Sequence, residues 1–177
     1  MREPQPETVR LARAGDLRAF EELVRGHQAD VYRLALHLVR DRETAEDVTQ
    51  EAFVHAYRAL RRFRGTAKFS TWLYRITRNA AVDAIRRRER QRRVSREAAP
   101  EVPVSDPSLR AALRSAIDAL PADLREAFVV IEVFGLTYGE AGHVLDMPVG
   151  TLKSRMHRAR RLLMASLADE GERSDEG

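Results

Sequence analysis

Residues 136–163 read LTYGEAGHVLDMPVGTLKSRMHRARRLL. Apolar residues recur here at three and four positions rather than alternately, which is the period of a helix. A short helix over 138–145, a three-residue turn Asp146-Met147-Pro148 and a longer basic helix make a helix-turn-helix. At about 100° per residue, Val149, Leu152, Met156, Ala159 and Leu163 fall on one side of the second helix and pack it down. The opposite side presents Gly150, Ser154, His157 and Arg161, flanked by Lys153 and Arg158, and none of these is acidic. Arg and Lys suit guanine O6 and N7, Ser and His suit shorter contacts, and Gly150 with Thr151 at the helix start can approach a phosphate closely. Arg155 lies about 60° from the apolar stripe and is expected to touch a phosphate or its own domain rather than a base. The competing reading is a solvated basic face on an ordinary helix. The turn, the preceding helix and the absence of carboxylates together favour DNA binding.

Working outward, Ala, Leu, Arg and Glu dominate and strand signals are almost absent, so the chain is expected to be all-α. In the N-terminal half helices are expected over 7–14, 17–39 with a possible break near Gly26, 43–63, and 71–88 with Ser70 as its cap. In the C-terminal half they are expected from Leu109 through Leu120, over 122–134, from after Thr137 to near Asp146, and over 148–168. The stretch 89–107 holds Pro100, Pro103 and Pro107, which forbid a continuous helix and mark a flexible linker. Two small helical domains follow, 1–88 and 108–168, with a frayed acidic tail at 169–177.

Charge is segregated along this plan. Residues 61–93 carry 12 basic and 2 acidic side chains, and 149–161 carry 5 and none, while 1–60, 94–148 and 169–177 are each net acidic. Two basic blocks in an otherwise acidic chain are the pattern of a phosphate-binding footprint built from two sites. The chain has no Cys, which excludes disulfides, thiolate metal sites and thiol catalysis. No apolar run approaches the roughly 20 residues of a bilayer span, and MREPQPETVR lacks the apolar stretch of a secretory signal, so a cytoplasmic protein without membrane insertion is expected. The five histidines show no paired metal spacing, there is no phosphate-cradling Gly-rich loop, and no Ser sits in a nucleophile elbow. No catalytic residue, metal, cofactor or small-molecule substrate is expected.

The first basic block also holds rings. Phe53, Tyr57, Phe63, Phe69, Trp72 and Tyr74 fall within 22 residues, the last four inside the block. Duplex binding has little use for exposed aromatics, whereas unpaired bases stack on rings while cations follow the backbone. Opened DNA or RNA is therefore one reading of this block. Burial is the other, and it suits Phe53 and Trp72 better because Leu73, Ile76 and Ala80 mark an adjacent apolar stripe. For Arg64 and Phe69, beside the loop opened by Gly65 and Thr66, both readings stand. Upstream, Asp47, Gln50, Glu51 and Val54 share a face away from Val48, Ala52 and Ala56. That face suits a basic partner helix, and its carboxylates equally suit the start of their own helix.

Two long motifs carry a resemblance. DVTQEAFVHAYRALRRFRGTAKFSTWLYRITRNAAVDAIRRR, 47–88, resembles the second conserved region of extracytoplasmic-function (ECF) sigma factors. LPADLREAFVVIEVFGLTYGEAGHVLDMPVGTLKSRMHRARRLL, 120–163, resembles their fourth. The resemblance implies a protein that joins bacterial RNA polymerase core, directs it to promoters and helps open the DNA. It implies that Asp47, Gln50, Glu51 and Val54 dock on the clamp helices of the largest polymerase subunit. Arg64, Gly65, Thr66, Lys68 and Phe69, with Arg78 and Asn79, would capture an unpaired −10 base, and Trp72 and Tyr74 would lie in the strand-opening segment. Lys153, Ser154, Arg155, His157, Arg158 and Arg161 would form the −35 surface. An anti-sigma protein is implied as a further partner. Three positions depart from the pattern. Ile131 stands where many members carry an Arg, which puts that DNA contact in question. Gly142 replaces a usual Ala, which should loosen its helix by about 1 kcal/mol unless something compensates. Asp146 replaces a frequent turn Gly, and Asp tolerates positive φ better than most residues. The alternatives from other classes are a free-standing helix-turn-helix regulator and an RNA-binding protein.

Overall fold

The computed structural model describes residues 2–95 and 109–175. Among them the chain forms eight helices, one extended by a π turn, and no strand. The helices fall into two compact units. Of the linker expected at 89–107, residues 96–107 lie outside the described residues, and residues 89–95 continue the preceding helix. Arg and Glu are good helix formers, and no Pro occurs before Pro100 to stop them.

In the first unit, α1 (Pro6–Arg13), α2 (Leu17–Val39), α3 (Arg42–Leu60) and α4 (Phe69–Ser95) pack in pairs. Asp16 caps α2 by accepting the Ala19 amide at 3.0 Å, and Asp41 caps α3 by accepting the Thr44 amide at 3.0 Å. The Thr44 hydroxyl also bonds Asp41 and holds its carboxyl below the ordinary carboxylate value, with the Thr44 amide and Arg88 adding to the effect. The break expected near Gly26 does not occur. Leu23, His27 and Val31 are all buried on one face of α2, and that burial outweighs the roughly 0.5–1 kcal/mol that Gly costs inside a helix.

Two cores divide this unit. Leu23, Val31, Ala56, Leu60, Phe63, Phe69 and Leu73 form one, with Phe20, Trp72 and Ile76 packed against it. The other is built on Ala35, Ala45, Val48, Ala80, Ala81 and Ala84. Side chains this small let α2, α3 and α4 approach closely.

The second unit contains α5 (Leu109–Ala119), α6 (Ala122–Phe128), α7 (Tyr138–Leu145) and α8 (Val149–Asp175). The single helix expected over 122–134 is α6 followed by a π turn, Val129–Val133. There the Phe134 amide reaches back five residues to the Val129 carbonyl at 3.0 Å, which buries Val129, Val130 and Phe134 together and leaves Ile131 half-exposed. The tail expected to fray from 169 onward instead continues α8 to Asp175.

Candidate nucleic-acid interface

In the second unit the face expected to meet DNA is built on an α7–α8 corner. Thr137 and Glu140 form a reciprocal cap at the start of α7: the Thr137 amide and hydroxyl donate to Glu140 Oε2 at 2.9 and 2.8 Å, and the Glu140 amide donates to Thr137 Oγ1 at 3.2 Å. At the other end Asp146 takes φ 52°, the conformation a turn Gly would supply. The Met147 amide donates to the Gly142 carbonyl at 3.0 Å. A Cβ added at Gly142 would stand 2.9 Å from the Met147 carbonyl oxygen, so the turn comes too close for Ala. The expected loosening at Gly142 is thus compensated: the position trades helix propensity for a close approach.

Along α8, Leu152, Met156, Ala159 and Leu163 are buried as their spacing requires, while Val149 at the helix start is 40% exposed. Gly150, Thr151, Lys153, Ser154, His157, Arg158 and Arg161 are exposed. The Ser154 hydroxyl donates to the Thr151 carbonyl at 2.8 Å. The arginines of α8 are sorted by pairing. Arg155 Nε lies 3.6 Å from Asp123 Oδ2, an intradomain contact of the kind its angular position implied. Arg160 sits 2.5 Å from Glu132 of the π turn, which raises the guanidinium's proton affinity. Among the described residues no ion pair holds Lys153, Arg158 or Arg161, and all three are exposed.

The second basic surface is the loop between α3 and α4. The Arg62 amide bonds the Ala59 carbonyl at 2.9 Å and the Phe63 amide bonds the Leu60 carbonyl at 3.0 Å, so the chain leaves α3 in a tight turn three residues before the expected end. Phe63 then turns inward, and Phe69 turns inward where the chain re-enters a helix. Their rings lie 6.1 Å apart, with Trp72 5.0 Å from the first and 5.5 Å from the second. Between these anchors Arg64, Gly65, Thr66, Ala67 and Lys68 are all exposed. Gly65 takes φ 69° and has open space on its Cβ side.

Burial corrects part of the expected site. Phe69 is 3% exposed and Tyr74 is 0% exposed, so neither offers a ring face to a base. Phe69 instead meets the edge of the His27 ring at a centroid distance of 5.4 Å, and burial pushes the Tyr74 phenol above its ordinary proton affinity. Trp72 and Arg78 are half-buried, and Asn79 is exposed. Ser70 is not the cap of α4 either. It is the second residue of that helix and is buried, and the acceptor for its amide comes from Glu3, whose two carboxylate oxygens take the Phe69 and Ser70 amides at 2.6 and 3.2 Å. Nothing local in the sequence announces that contact across 66 residues.

Arg75 is a further exposed cation that the sequence reading passed over. Its spacing of three from Trp72 and four from Asn79 puts it on the same face of α4, a signal that was available.

The α3 face expected to meet a partner is partly drawn into the fold. Asp47 and Gln50 are exposed and Val54 is 47% exposed, but Glu51 bonds Arg87 of α4 at 2.7 Å. Tyr57, one turn after Val54 and 47% exposed, extends this face; its ring meets the edge of Phe20 at 5.0 Å. Among the described residues no group of three or more His, Asp or Glu side chains is placed to hold a metal, and no helix is long and apolar enough to cross a membrane.

The sigma-70 region 2 family model matches residues 23–91 and the sigma-70 region 4 model matches 110–163, one on each basic surface. The chain is 42% identical over 164 residues to the ECF RNA polymerase sigma factor SigE of Mycolicibacterium smegmatis, covering 85% of this chain and 62% of that protein's length. It is 37% identical over 182 residues to the RNA polymerase sigma-H factor of Pseudomonas aeruginosa, covering 93% of this chain and 94% of the relative. Among solved structures, the sigma factor RpoE from Bartonella quintana, in complex with the anti-sigma factor NepR, matches with a TM-score of 0.74 at 27% identity over 86% of this chain and 98% of that one. With both regions present in order, the sigma-H relative matched over 94% of its length, and the ECF RNA polymerase sigma-E factor of Escherichia coli (strain K12) matched at 38% identity over 90% of its own, the chain belongs to the sigma-70 family, among its ECF RNA polymerase sigma factors.

Proposed function

We propose that this chain joins RNA polymerase core and directs it to promoters, reading −35 duplex with α8 and an opened −10 base with the loop 64–68. The observation that carries the reading is one chain with two exposed donor surfaces of different construction. One is a helix face suited to a major groove; the other is a loop held out between two buried rings. Lys153, Ser154, His157, Arg158 and Arg161 serve the first. Arg64, Gly65, Thr66, Lys68 and Asn79 serve the second, with Trp72 and Arg78 at its edge and Arg75 along the backbone path. Asn79 offers two amide donors and a carbonyl acceptor, which suits a base edge that has left the stack.

Residues 1–88 then hold core docking and −10 work, 108–168 the −35 work. Asp47, Gln50 and Val54 meet the polymerase's clamp helices, while Glu51 acts from its ion pair with Arg87. The chain positions and opens DNA without a catalytic centre or cofactor of its own, and it works in the cytoplasm with the polymerase. An anti-sigma protein that covers the α3 face and is embraced by both domains is the partner for the inactive state, and a pull-down under non-inducing conditions should recover it.

Run-off transcription with and without added core polymerase tests the reading. Specific transcripts should appear only when this chain and core are combined, with weak promoter binding by the chain alone. Tight, sequence-specific footprinting without core would instead mark a free-standing helix-turn-helix regulator.

A further inference from the structure

Residues 2–5 lie ahead of α1, yet Glu3 among them reaches the start of α4, next to the loop 64–68. Phe69 and Ser70 open α4, and their amides are two of the four that no helix can satisfy internally. The residue just before them is Lys68, whose ammonium can only donate. The loop therefore brings no acceptor at the position where Ser, Thr, Asp or Asn usually caps a helix. Glu3 supplies it with both carboxylate oxygens, at 2.6 Å to the Phe69 amide and 3.2 Å to the Ser70 amide. A second tie holds the same arm: the Arg2 carbonyl lies 3.2 Å from Nε2 of His27, a buried residue of α2 whose ring edge faces Phe69. The arm is thus fastened at two neighbouring points, both of which also touch Phe69.

We infer that Glu3 is a positioning residue for promoter reading, fixing where α4 begins and hence the path of the loop 64–68. This inference rests on the proposed role of that loop at the −10 element. The arrangement has a chemical logic. No residue of 64–68 is acidic, and the acceptor for the first amides of α4 arrives instead from the segment ahead of α1, where a carboxylate also suits the positive end of the helix dipole. The two bonds that Glu3 accepts come from backbone amides, so through them it sets loop geometry without reading a base.

The test uses the full chain with core polymerase and three variants: Glu3→Ala, Glu3→Gln, and a swap of residues 64–68 for the loop of a relative with different promoter preference. Transcription from a library randomised in both promoter elements reports base preference, and amide exchange reports the Phe69 and Ser70 hydrogen bonds. Glu3→Ala should speed exchange at both amides and reduce discrimination at the −10 base by about fivefold, the usual scale of a lost helix cap. Glu3→Gln, with one acceptor oxygen in place of two, should fall between it and the parent. The −35 preference and core binding should not move. If Glu3→Ala lowers transcription from every promoter alike, the arm is merely structural and the inference fails, while a loop swap that does redirect −10 preference leaves the parent reading intact. If the loop swap itself leaves −10 preference unchanged, both fall.

Discussion

The two basic surfaces carry similar side chains on opposite plans. On α8 one angular rule separates what packs from what stays exposed: residues spaced at three and four are buried, and Lys153, Arg158 and Arg161 lie off that stripe. In 61–79 exposed cations alternate along the chain with buried or half-buried rings, and exposure depends on where α3 stops, where α4 starts and what covers each end. A helix face is therefore defined by its own sequence, whereas a loop between helices is defined by contacts that arrive from elsewhere, here from His27 and Glu3.

The largest effect that would break this contrast concerns Phe69. As a core ring it should cost about 3–5 kcal/mol on replacement by Ala, seen as a large fall in the melting temperature of the first domain. Arg64→Ala in the same loop should leave that temperature within a degree or two, because a solvated surface change is worth within about 0.5 kcal/mol. Near-equal stabilities for the two variants would return Phe69 to the base-contacting set.

Next in size are Lys153→Ala and Arg158→Ala, each expected to cost about 1–3 kcal/mol of promoter binding and to relax preference at particular −35 base pairs. Arg155→Ala should leave base preference unaltered, since its guanidinium is engaged with Asp123, and should cost at most about 1 kcal/mol of stability. Competition binding with single-base variants of the −35 element, measured with core present, separates the two behaviours.

Gly142→Ala sharpens the comparison from the side of the helix-turn-helix. Propensity alone predicts a gain of about 1 kcal/mol, but the new Cβ meets the Met147 carbonyl at 2.9 Å. A net loss of about 1–2 kcal/mol is expected in thermal unfolding of the second domain, typical of a forced backbone shift.

The smallest effect is at Asp41. Its carboxyl is held below the ordinary value mainly by the Thr44 hydroxyl, so its contribution is present above the unfolded-state value and is lost as pH falls through the lower folded-state value. Asp41→Ala should cost about 1 kcal/mol at neutral pH, and the gap to the parent should close in acid. Melting curves from neutral to acidic pH check this.

Much of this was legible because it is local. The Thr137 to Glu140 cap, the turn at Asp146 and the apolar stripe of α8 are all fixed within a few residues of themselves. The misreadings share the opposite cause. Phe69, Tyr74 and Ser70 were misplaced because their environment is set by α2 and by the segment ahead of α1, and no spacing along 61–79 encodes that. Gly26 misled for the same reason: burial of Leu23, His27 and Val31 decided against a break that the local signal allowed. Glu51 looked like an outward carboxylate because its partner, Arg87, lies 36 residues away in sequence. The π turn at Val129–Val133 left no mark in composition, since its residues suit an ordinary helix equally well.

The central claim is that the loop 64–68 reads the opened −10 base while α8 reads the −35 duplex, each independently of the other. Exchanging residues 64–68 for those of a relative with a different −10 preference, then sequencing transcripts from a promoter library randomised in both elements, tests it most directly. The account predicts a switched −10 preference with −35 preference, core binding and melting temperature nearly unchanged. A sharp fall in melting temperature with the −10 preference intact would contradict it.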